Sequence, residues 1–346
     1  MIIAFEELKD QVGKLFSAAG YNEKNADIMA NVLVKSEARG IYSHGVNLSR
    51  GYIDACDRKI VHPNPDIKII SESPSTVIID GDRGMGGVVV SRAVEIASEK
   101  AKETGACTVC VRNAYHYGAG GYYATLIAER DMVGYLYANT DKTAVPFGGA
   151  ERYLGTNPYS FGAPAGENPP FVLDMATTQV PLSKAYAMMR EGVPFPEGIG
   201  VDSDGSPSVD PQKILNGGAL CHFGGIKGYG LAFMINVVSG VLSGCAYKKD
   251  EAHIDFDQAA TCPTVGFFLN VTDIAHLMEP AEFRRRMDDM IAEMKTLRRA
   301  PGVNEIFYPG EIEGRKLEKA LKYGVNISDK TYGTFLETAK AHGLLF

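Results

Sequence analysis

Residues 112–123 read R-N-A-Y-H-Y-G-A-G-G-Y-Y and join an apolar run, A-C-T-V-C-V at 106–111, to a helical pattern at 124–130. The apolar run predicts a buried strand, so His116 falls on a strand-to-helix turn. The glycines of this turn lack Cβ atoms, which lets a flat ligand approach the backbone closely. Histidine titrates near neutral pH, so His116 is a candidate proton donor or acceptor; a buried structural histidine is the alternative.

A second histidine occupies a comparable turn. The segment I-Y-S-H-G-V-N at 41–47 follows a helical pattern at 22–39 that ends at Gly40. A histidine directly after a helix end can point into a cleft, and an exposed imidazole beside a helix cap is the alternative. Two distant histidines in such turns favour a catalytic pair, His116 and His44.

The composition is that of an ordinary globular protein. The chain has 346 residues and a formal net charge of −7. This length allows one large domain or two ordinary ones, and the lack of a sustained Lys/Arg stripe argues against nucleic acid. No apolar run approaches the roughly 18 residues of a membrane span, and the first residues turn acidic too early for a signal peptide. We expect a cytoplasmic protein without nucleic-acid or membrane partners.

The cysteines and histidines are not spaced like metal ligands. The C-x-x-C pair Cys107 and Cys110 lies inside an apolar strand, where buried neutral thiols are expected, and the other four cysteines, Cys262 among them, are scattered. Spacings such as H-x-x-x-H are missing among His44, His116, His222 and His253. We predict no metal site; a metal site assembled from distant turns is the alternative.

Two further glycine-rich turns precede predicted helices. The glycines at 81, 84, 86 and 87 fit neither G-x-G-x-x-G nor the P-loop, which disfavours a conventional Rossmann domain. F-G-G-I-K-G-Y-G at 223–230 precedes an apolar helix predicted at 231–242. Lys227 and the start of that helix can together hold an anion, and a packing turn with a solvated lysine is the alternative.

Short polar residues lie at the ends of predicted strands. They are N-T-D at 139–141, G-T-N-P at 155–158 and D-M-A-T-T at 174–178. Such groups commonly contact ligands, and Asp174 can alternatively cap a helix predicted at 182–190. The segment 192–210, rich in Pro, Gly, Asp and Ser, predicts a loop or lid.

Taken together and in order, the motifs resemble those of the type 2 malate/L-lactate dehydrogenase family of NAD(P)-dependent oxidoreductases. That family also includes ureidoglycolate dehydrogenase, sulfolactate dehydrogenase, 2,3-diketogulonate reductase and piperideine-2-carboxylate reductase. The motifs are R-G-I-Y-S-H-G-V (39–46), N-A-Y-H-Y-G-A-G-G-Y-Y-A (113–124), V-P-F-G-G-A-E (145–151), G-T-N-P (155–158), D-M-A-T-T (174–178), G-G-I-K-G-Y-G-L (224–231) and P-G-V-N-E-I-F-Y-P-G-E (301–311).

The resemblance implies an α/β (mixed α+β), non-Rossmann nicotinamide-binding fold with a central mixed sheet. A helical domain would be built from both chain ends, 1–75 plus 305–346, and 76–304 would bind cofactor and substrate. It also implies a homodimer. His116 matches the family's proton donor and acceptor, and Ser43 and His44 match the substrate side of the cleft. The residues that match cofactor contacts are Thr140, Asn157, Asp174, Met175, Ala176 and Lys227.

The chain departs from the family at one position. Many members carry an arginine four residues after the His44 position, where it holds the substrate carboxylate, and this chain has Leu48. The nearest arginine is Arg50, but a shift of two residues along a helix places it on the wrong face. Either Arg50 reaches the substrate after a shift, or another group binds the carboxylate.

The resemblance implies hydride transfer between NAD, or NADP, and a small 2-hydroxy or 2-oxo acid, with malate or lactate as the first choice. Ureidoglycolate dehydrogenase and 2,3-diketogulonate or cyclic-imine reductase are alternatives within the family. A non-catalytic NAD(H) sensor is an alternative of another class, although a sensor needs no proton donor.

Overall fold

The structure of the protein is a computed structural model that describes residues 1–248 and 265–346. Cys262 and His253 lie outside these ranges. The α-helices described are α1 (Phe5–Ala18), α2 (Glu23–Ala38), α3 (Ser49–Asp57), α4 (Gly86–Thr104), α5 (Gly120–Ala128), α6 (Leu182–Glu191), α7 (Pro211–Leu215), α8 (Ile226–Asn236), α9 (Pro280–Thr296), α10 (Glu311–Tyr323) and α11 (Asp329–Ala341). The strands described are β1 (Ile2–Ile3), β2 (Lys68–Glu72), β3 (Thr76–Gly84), β4 (Ala106–Ala114), β5 (Met132–Ala138), β6 (Tyr159–Ala163), β7 (Phe171–Met175), β8 (Gly200–Val201), β9 (Pro207–Ser208), β10 (Ala219–Leu220), β11 (Val265–Asp273) and β12 (Val325–Asn326).

A seven-stranded mixed sheet forms the centre, in the order β2-β3-β4-β11-β5-β6-β7. Strands β3 and β4 are parallel and are joined by α4, and the other neighbouring pairs are antiparallel. A single parallel pair is not the run of parallel strands that a Rossmann domain requires. The predicted mixed α/β fold with a central mixed sheet is confirmed.

The sequence pattern explains why the sheet is held between helices. Alternate residues of the central strand β11, Phe267, Leu269 and Val271, are fully buried, as the two-residue period of a strand requires. Valines of α4 pack over β4 and β11. Burying one such side chain contributes roughly 1.5–3 kcal/mol. The thiols of Cys107 and Cys110 are buried in β4, as predicted, and burial raises the pKa of Cys110 to about 11.

The two ends of the chain meet. Ile2 and Ile3 of β1 pair with β12, and the Met1 ammonium donates to the Ile327 carbonyl at 2.9 Å. Helix α10 packs against α2, and α11 packs against α3. One cluster of buried side chains runs from these helices into the sheet. Because this core is continuous, it does not mark a domain boundary. The predicted division into a helical domain, 1–75 plus 305–346, and a binding region, 76–304, stays a prediction. None of the described helices has the length and apolar character of a membrane span.

Two stretches differ from the sequence prediction. The segment predicted as a loop or lid at 192–210 contains β8 and β9, which form a small sheet with β10 because Val201 pairs with Ala219. Helix α8 begins at Ile226, five residues before its predicted start, and continues after Asn236 as a π-helix, Val237–Val241. The glycine-rich turn that leads into α4 packs closely against the turn that carries His116. A Cβ on Gly86 would lie 2.2 Å from the Tyr115 carbonyl.

Candidate active site

His116 follows β4 and is held from behind by α3. The Tyr52 hydroxyl lies 2.5 Å from His116 Nδ1, and the Gly118 N–H donates to the same nitrogen at 3.3 Å. Because a backbone N–H can only donate, Nδ1 must accept, and the neutral ring carries its proton on Nε2. The turn thereby fixes the orientation of His116 and favours this tautomer.

The structure brings His44 to His116. The two imidazole rings stack with centroids 5.7 Å apart and an interplanar angle of 22°. On the far side, Ser43 Oγ lies 2.8 Å from His44 Nδ1. Three of the residues predicted to act on the substrate, His116, His44 and Ser43, therefore lie together, and their roles stay predictions.

Both histidines are held in their neutral form. Burial, and secondarily the neighbouring His44, lowers the pKa of His116 to about 3. Burial also lowers the pKa of His44, while the charge of Asp174 acts in the opposite direction. An anion bound against the edges of both rings would stabilise the protonated forms and raise both pKa values.

Asp174, at the end of β7, borders the histidine pair. Its Oδ1 accepts from Ser160 Oγ at 2.8 Å, and its Oδ2 accepts from the Gly121 N–H at 2.7 Å. The carboxylate therefore lies at the start of α5, not at the predicted helix 182–190; α6 has Pro181 at its N-cap, with no side-chain cap. A Cβ on Gly120 would lie 2.0 Å from Ser160 Oγ, so this turn requires glycine. Asp174 stays exposed and can accept further hydrogen bonds.

Thr140 and Asn157 hold each other at the end of β5. Asn157 is fully buried; its Oδ1 accepts from the Thr140 N–H at 3.2 Å, and its Nδ2 donates to the Ala232 carbonyl at 2.8 Å. Both polar groups of the Asn157 side chain are therefore used within the protein, which places Asn157 behind Thr140. The Thr140 side chain is partly exposed and lies 3.1 Å from the Thr156 hydroxyl.

Lys227 is exposed in the first turn of α8, directly after two glycines with φ near +60°. Within residues 1–248 and 265–346, its ammonium makes no hydrogen bond or ion pair. An unpaired cation beside a helix N-terminus suits a phosphate group. Met175 and Ala176 are partly buried beside Asp174. The residues predicted to hold a nicotinamide cofactor therefore have suitable chemistry: an exposed cation, a rim carboxylate and glycines that let a ligand approach.

Arg50 is not brought to the histidines. It is exposed on α3, whereas Tyr52, two positions further, is fully buried and reaches His116. Two residues rotate a helix by about 200°, so Arg50 faces away from His116. Leu48 packs against the core. This arrangement does not favour Arg50 as the missing guanidinium, and the role of Arg50 stays a prediction.

Sequence reasoning missed Tyr52, which contacts His116, and the buried Glu37, whose carboxyl accepts the Val46 N–H. Tyr52 fits the apolar face of its helix and reads as an ordinary core aromatic. Glu37 is 3% exposed, and burial raises its pKa to about 7. A buried carboxyl on a helix leaves no signal in a hydrophobic pattern, which places a glutamate on the surface.

His222 is the other candidate ligand that the structure describes. His222 is buried, with Nδ1 3.3 Å from the Thr177 carbonyl. No group of three metal-binding side chains occurs in the part of the chain that the structure describes.

Comparisons with known proteins identify the family. The family model described as malate/L-lactate dehydrogenase matches residues 3–335. The malate dehydrogenase of Pyrococcus abyssi is 38% identical over 98% of this chain and 94% of its own length. The L-sulfolactate dehydrogenase of Methanocaldococcus jannaschii is 38% identical over 99% and 98%. The solved malate dehydrogenase of Pyrococcus horikoshii superimposes with a TM-score of 0.90 at 35% identity, over 100% of this chain and 96% of that one. The chain therefore belongs to the malate/L-lactate dehydrogenase family.

Proposed function

We propose that the protein is a nicotinamide-dependent dehydrogenase that interconverts a small 2-hydroxy acid and its 2-oxo acid, with malate or lactate as the first choice. The observation that carries this proposal is the stacked pair His116 and His44, with Tyr52 behind one ring and Ser43 behind the other. A proton-transfer group backed by a hydroxyl, beside a surface suited to a nucleotide, is what such a reaction needs.

His116 is the proton-transfer residue of the proposed reaction. A bound nicotinamide supplies or accepts the hydride. His116 gives a proton to the carbonyl oxygen during reduction and takes it from the hydroxyl during oxidation. To accept the substrate's proton at Nε2 during oxidation, the neutral His116 ring must carry its own proton on Nδ1. The Tyr52 hydroxyl can then turn from donor to acceptor, while the longer Gly118 contact is lost. Tyr52 therefore supports both protonation states.

His44 binds the substrate in this proposal. Its Nδ1 is engaged by Ser43, so Nε2 is the atom that meets the carbonyl or carboxylate. The negative charge of the acid raises the pKa of His116 from its low value and prepares it to donate. Binding of the substrate thus increases the fraction of His116 that is protonated and able to donate.

The cofactor is NAD in this proposal, with NADP as the alternative. Lys227 and the start of α8 would meet a phosphate, and Thr140, Asp174, Met175 and Ala176 would line the rest of the contact. Asn157 supports Thr140 from behind. A comparison of KM for NADH and NADPH decides between the two cofactors.

We further propose a homodimer that uses the exposed face of α8 and the following π-helix. Apolar side chains there are 38–56% exposed: Leu231, Phe233, Met234, Val237, Val241 and Leu242. A contiguous apolar surface of this kind marks a protein contact. Light scattering of the wild type and of Leu242→Asp tests this: a dimer that the variant converts to monomer supports it, and a monomeric wild type refutes it.

The function is tested with His116→Ala and the matched control His276→Ala, whose ring is exposed. Absorbance of NADH and NADPH is followed with oxaloacetate, pyruvate, 2,3-diketogulonate and piperideine-2-carboxylate, and NAD⁺ reduction is followed with ureidoglycolate. Removal of a general acid–base group should lower turnover by roughly 10²–10⁴-fold, with cofactor affinity unchanged. Near-normal turnover of His116→Ala refutes the assignment. If the wild type binds NADH but none of the tested acids leads to oxidation of NADH, the sensor alternative is indicated.

A further inference from the structure

Glu37, near the end of α2, is buried behind the turn that carries His44. Its Oε2 accepts the Val46 N–H at 3.0 Å. A Cβ on Gly45 would lie 2.0 Å from the same Oε2, so the carboxyl reaches the backbone only because residue 45 is glycine. Glu37 therefore contacts the two residues that directly follow His44.

The surrounding core does not explain a carboxyl at this position. In the described ranges, no lysine, arginine or histidine forms an ion pair with Glu37. Burial of an unpaired carboxyl opposes folding, whereas a leucine would fill similar space without that cost. The contact that Glu37 does make is with the turn at 45–46.

We propose that Glu37 is a positioning residue for His44 and, through it, for the oxo acid. One 3-10 turn, Tyr42–His44, ends at Gly45, and the next, Val46–Leu48, begins directly after it. The Glu37 carboxyl lies at the junction between the two turns. A fixed junction holds the His44 ring over His116. This inference rests on the proposed function, because it gives Glu37 a share in binding the acid.

Two variants of Glu37 test the role. Glu37→Leu removes the acceptor, whereas the amide oxygen of Glu37→Gln can still accept the Val46 N–H. We expect Glu37→Leu to lower kcat/KM for the oxo acid by about ten- to a hundredfold, since misplacement by about 1 Å has effects of that size. Its Kd for NADH should stay within about twofold, and Glu37→Gln should retain kcat/KM within about threefold. Wild-type kcat/KM in Glu37→Leu, or an equal loss of NADH affinity, overturns the proposal.

A readout without turnover separates this proposal from the proposed function. In ¹⁵N-histidine NMR, the His44 ring signals, assigned with His44→Ala, should shift in Glu37→Leu and return in Glu37→Gln, while those of His276 stay unchanged. If the wild type turns over no acid but the His44 signals shift, the proposed function is wrong and the positioning role stands. Unchanged His44 signals in Glu37→Leu refute the positioning role.

A substitution at Gly45 perturbs the same contact without changing Glu37. It provides a second test if Glu37→Leu does not fold. The added methyl of Gly45→Ala meets Glu37 Oε2, so it should displace the turn and lower kcat/KM to a similar degree. Glu37→Ala in that background removes the clashing carboxyl and should leave Kd for NADH unchanged. A Gly45→Ala variant with wild-type kcat/KM and wild-type His44 signals contradicts the proposal.

Discussion

Replacing Glu37 with glutamine should stabilise the protein increasingly as the pH rises. Burial raises the pKa of Glu37 from 4.5 to about 7, while the Val46 N–H acts weakly in the other direction. Between these two values the unfolded chain releases a proton that the folded chain keeps. The wild type therefore loses stability as the pH rises through this window, and the whole effect is present above pH 7. Glutamine does not titrate and escapes this loss.

The size of the effect follows from the two pKa values. A difference of about 2.5 units corresponds to about 3 kcal/mol, of which roughly 2 to 3 kcal/mol falls between pH 5 and pH 8. Urea unfolding of wild type and Glu37→Gln at several pH values measures the growing difference. Glu6→Gln, at an exposed position of α1, controls for the chemical change. A difference between wild type and Glu37→Gln that stays constant from pH 5 to pH 8 would refute the reasoning.

Three further results are expected. Lys227→Met should raise KM for the cofactor about ten- to a hundredfold, because one cation at a phosphate is lost, with kcat little changed in steady-state assays. Because the pKa of His116 is near 3, kcat/KM for reduction should fall about tenfold per pH unit between pH 6 and 9, whereas oxidation should show no His116 inflection there. Gly120→Ala, whose Cβ meets Ser160 Oγ at 2.0 Å, should lose activity and stability, whereas Gly333→Ala in α11, with nothing within 4 Å, should gain about 1 kcal/mol in thermal unfolding.

The parts of the fold that follow local rules were predictable from the sequence. Helix α1 follows from apolar positions that repeat with the helical period and from the glycine after it. Asn22 caps α2 by accepting the Asn25 N–H at 2.9 Å, a role that asparagine commonly has at the start of a helix. The turn that holds His116 between β4 and α5 was also located, since glycines and an apolar run mark it.

What the sequence could not supply depends on distant partners. Asp174 was assigned as a possible cap of the next helix, yet it caps α5, whose Gly121 lies 53 positions earlier. Tyr52 reads as a core residue until the fold brings His116, 64 positions away, to its hydroxyl. Arg50 was a candidate because it is near Leu48 in sequence, and the rotation of α3 turns it away. Periodicity identifies faces of helices and strands but not which faces meet.

The position of Asp174 couples the protonation of His44 to the binding of ligands at the rim of the cleft. Its carboxylate favours protonation of His44 through space and also presents open lone pairs at the rim of the cleft. Any group that hydrogen-bonds to Asp174 withdraws negative potential from His44 and weakens its hold on a proton. By reciprocity, loading His44 with a proton must change the affinity of that group by the same factor. At pH values low enough for His44 to be partly protonated, ligand binding at this edge is therefore accompanied by proton release to the buffer, which calorimetry in buffers of different ionisation enthalpy can count.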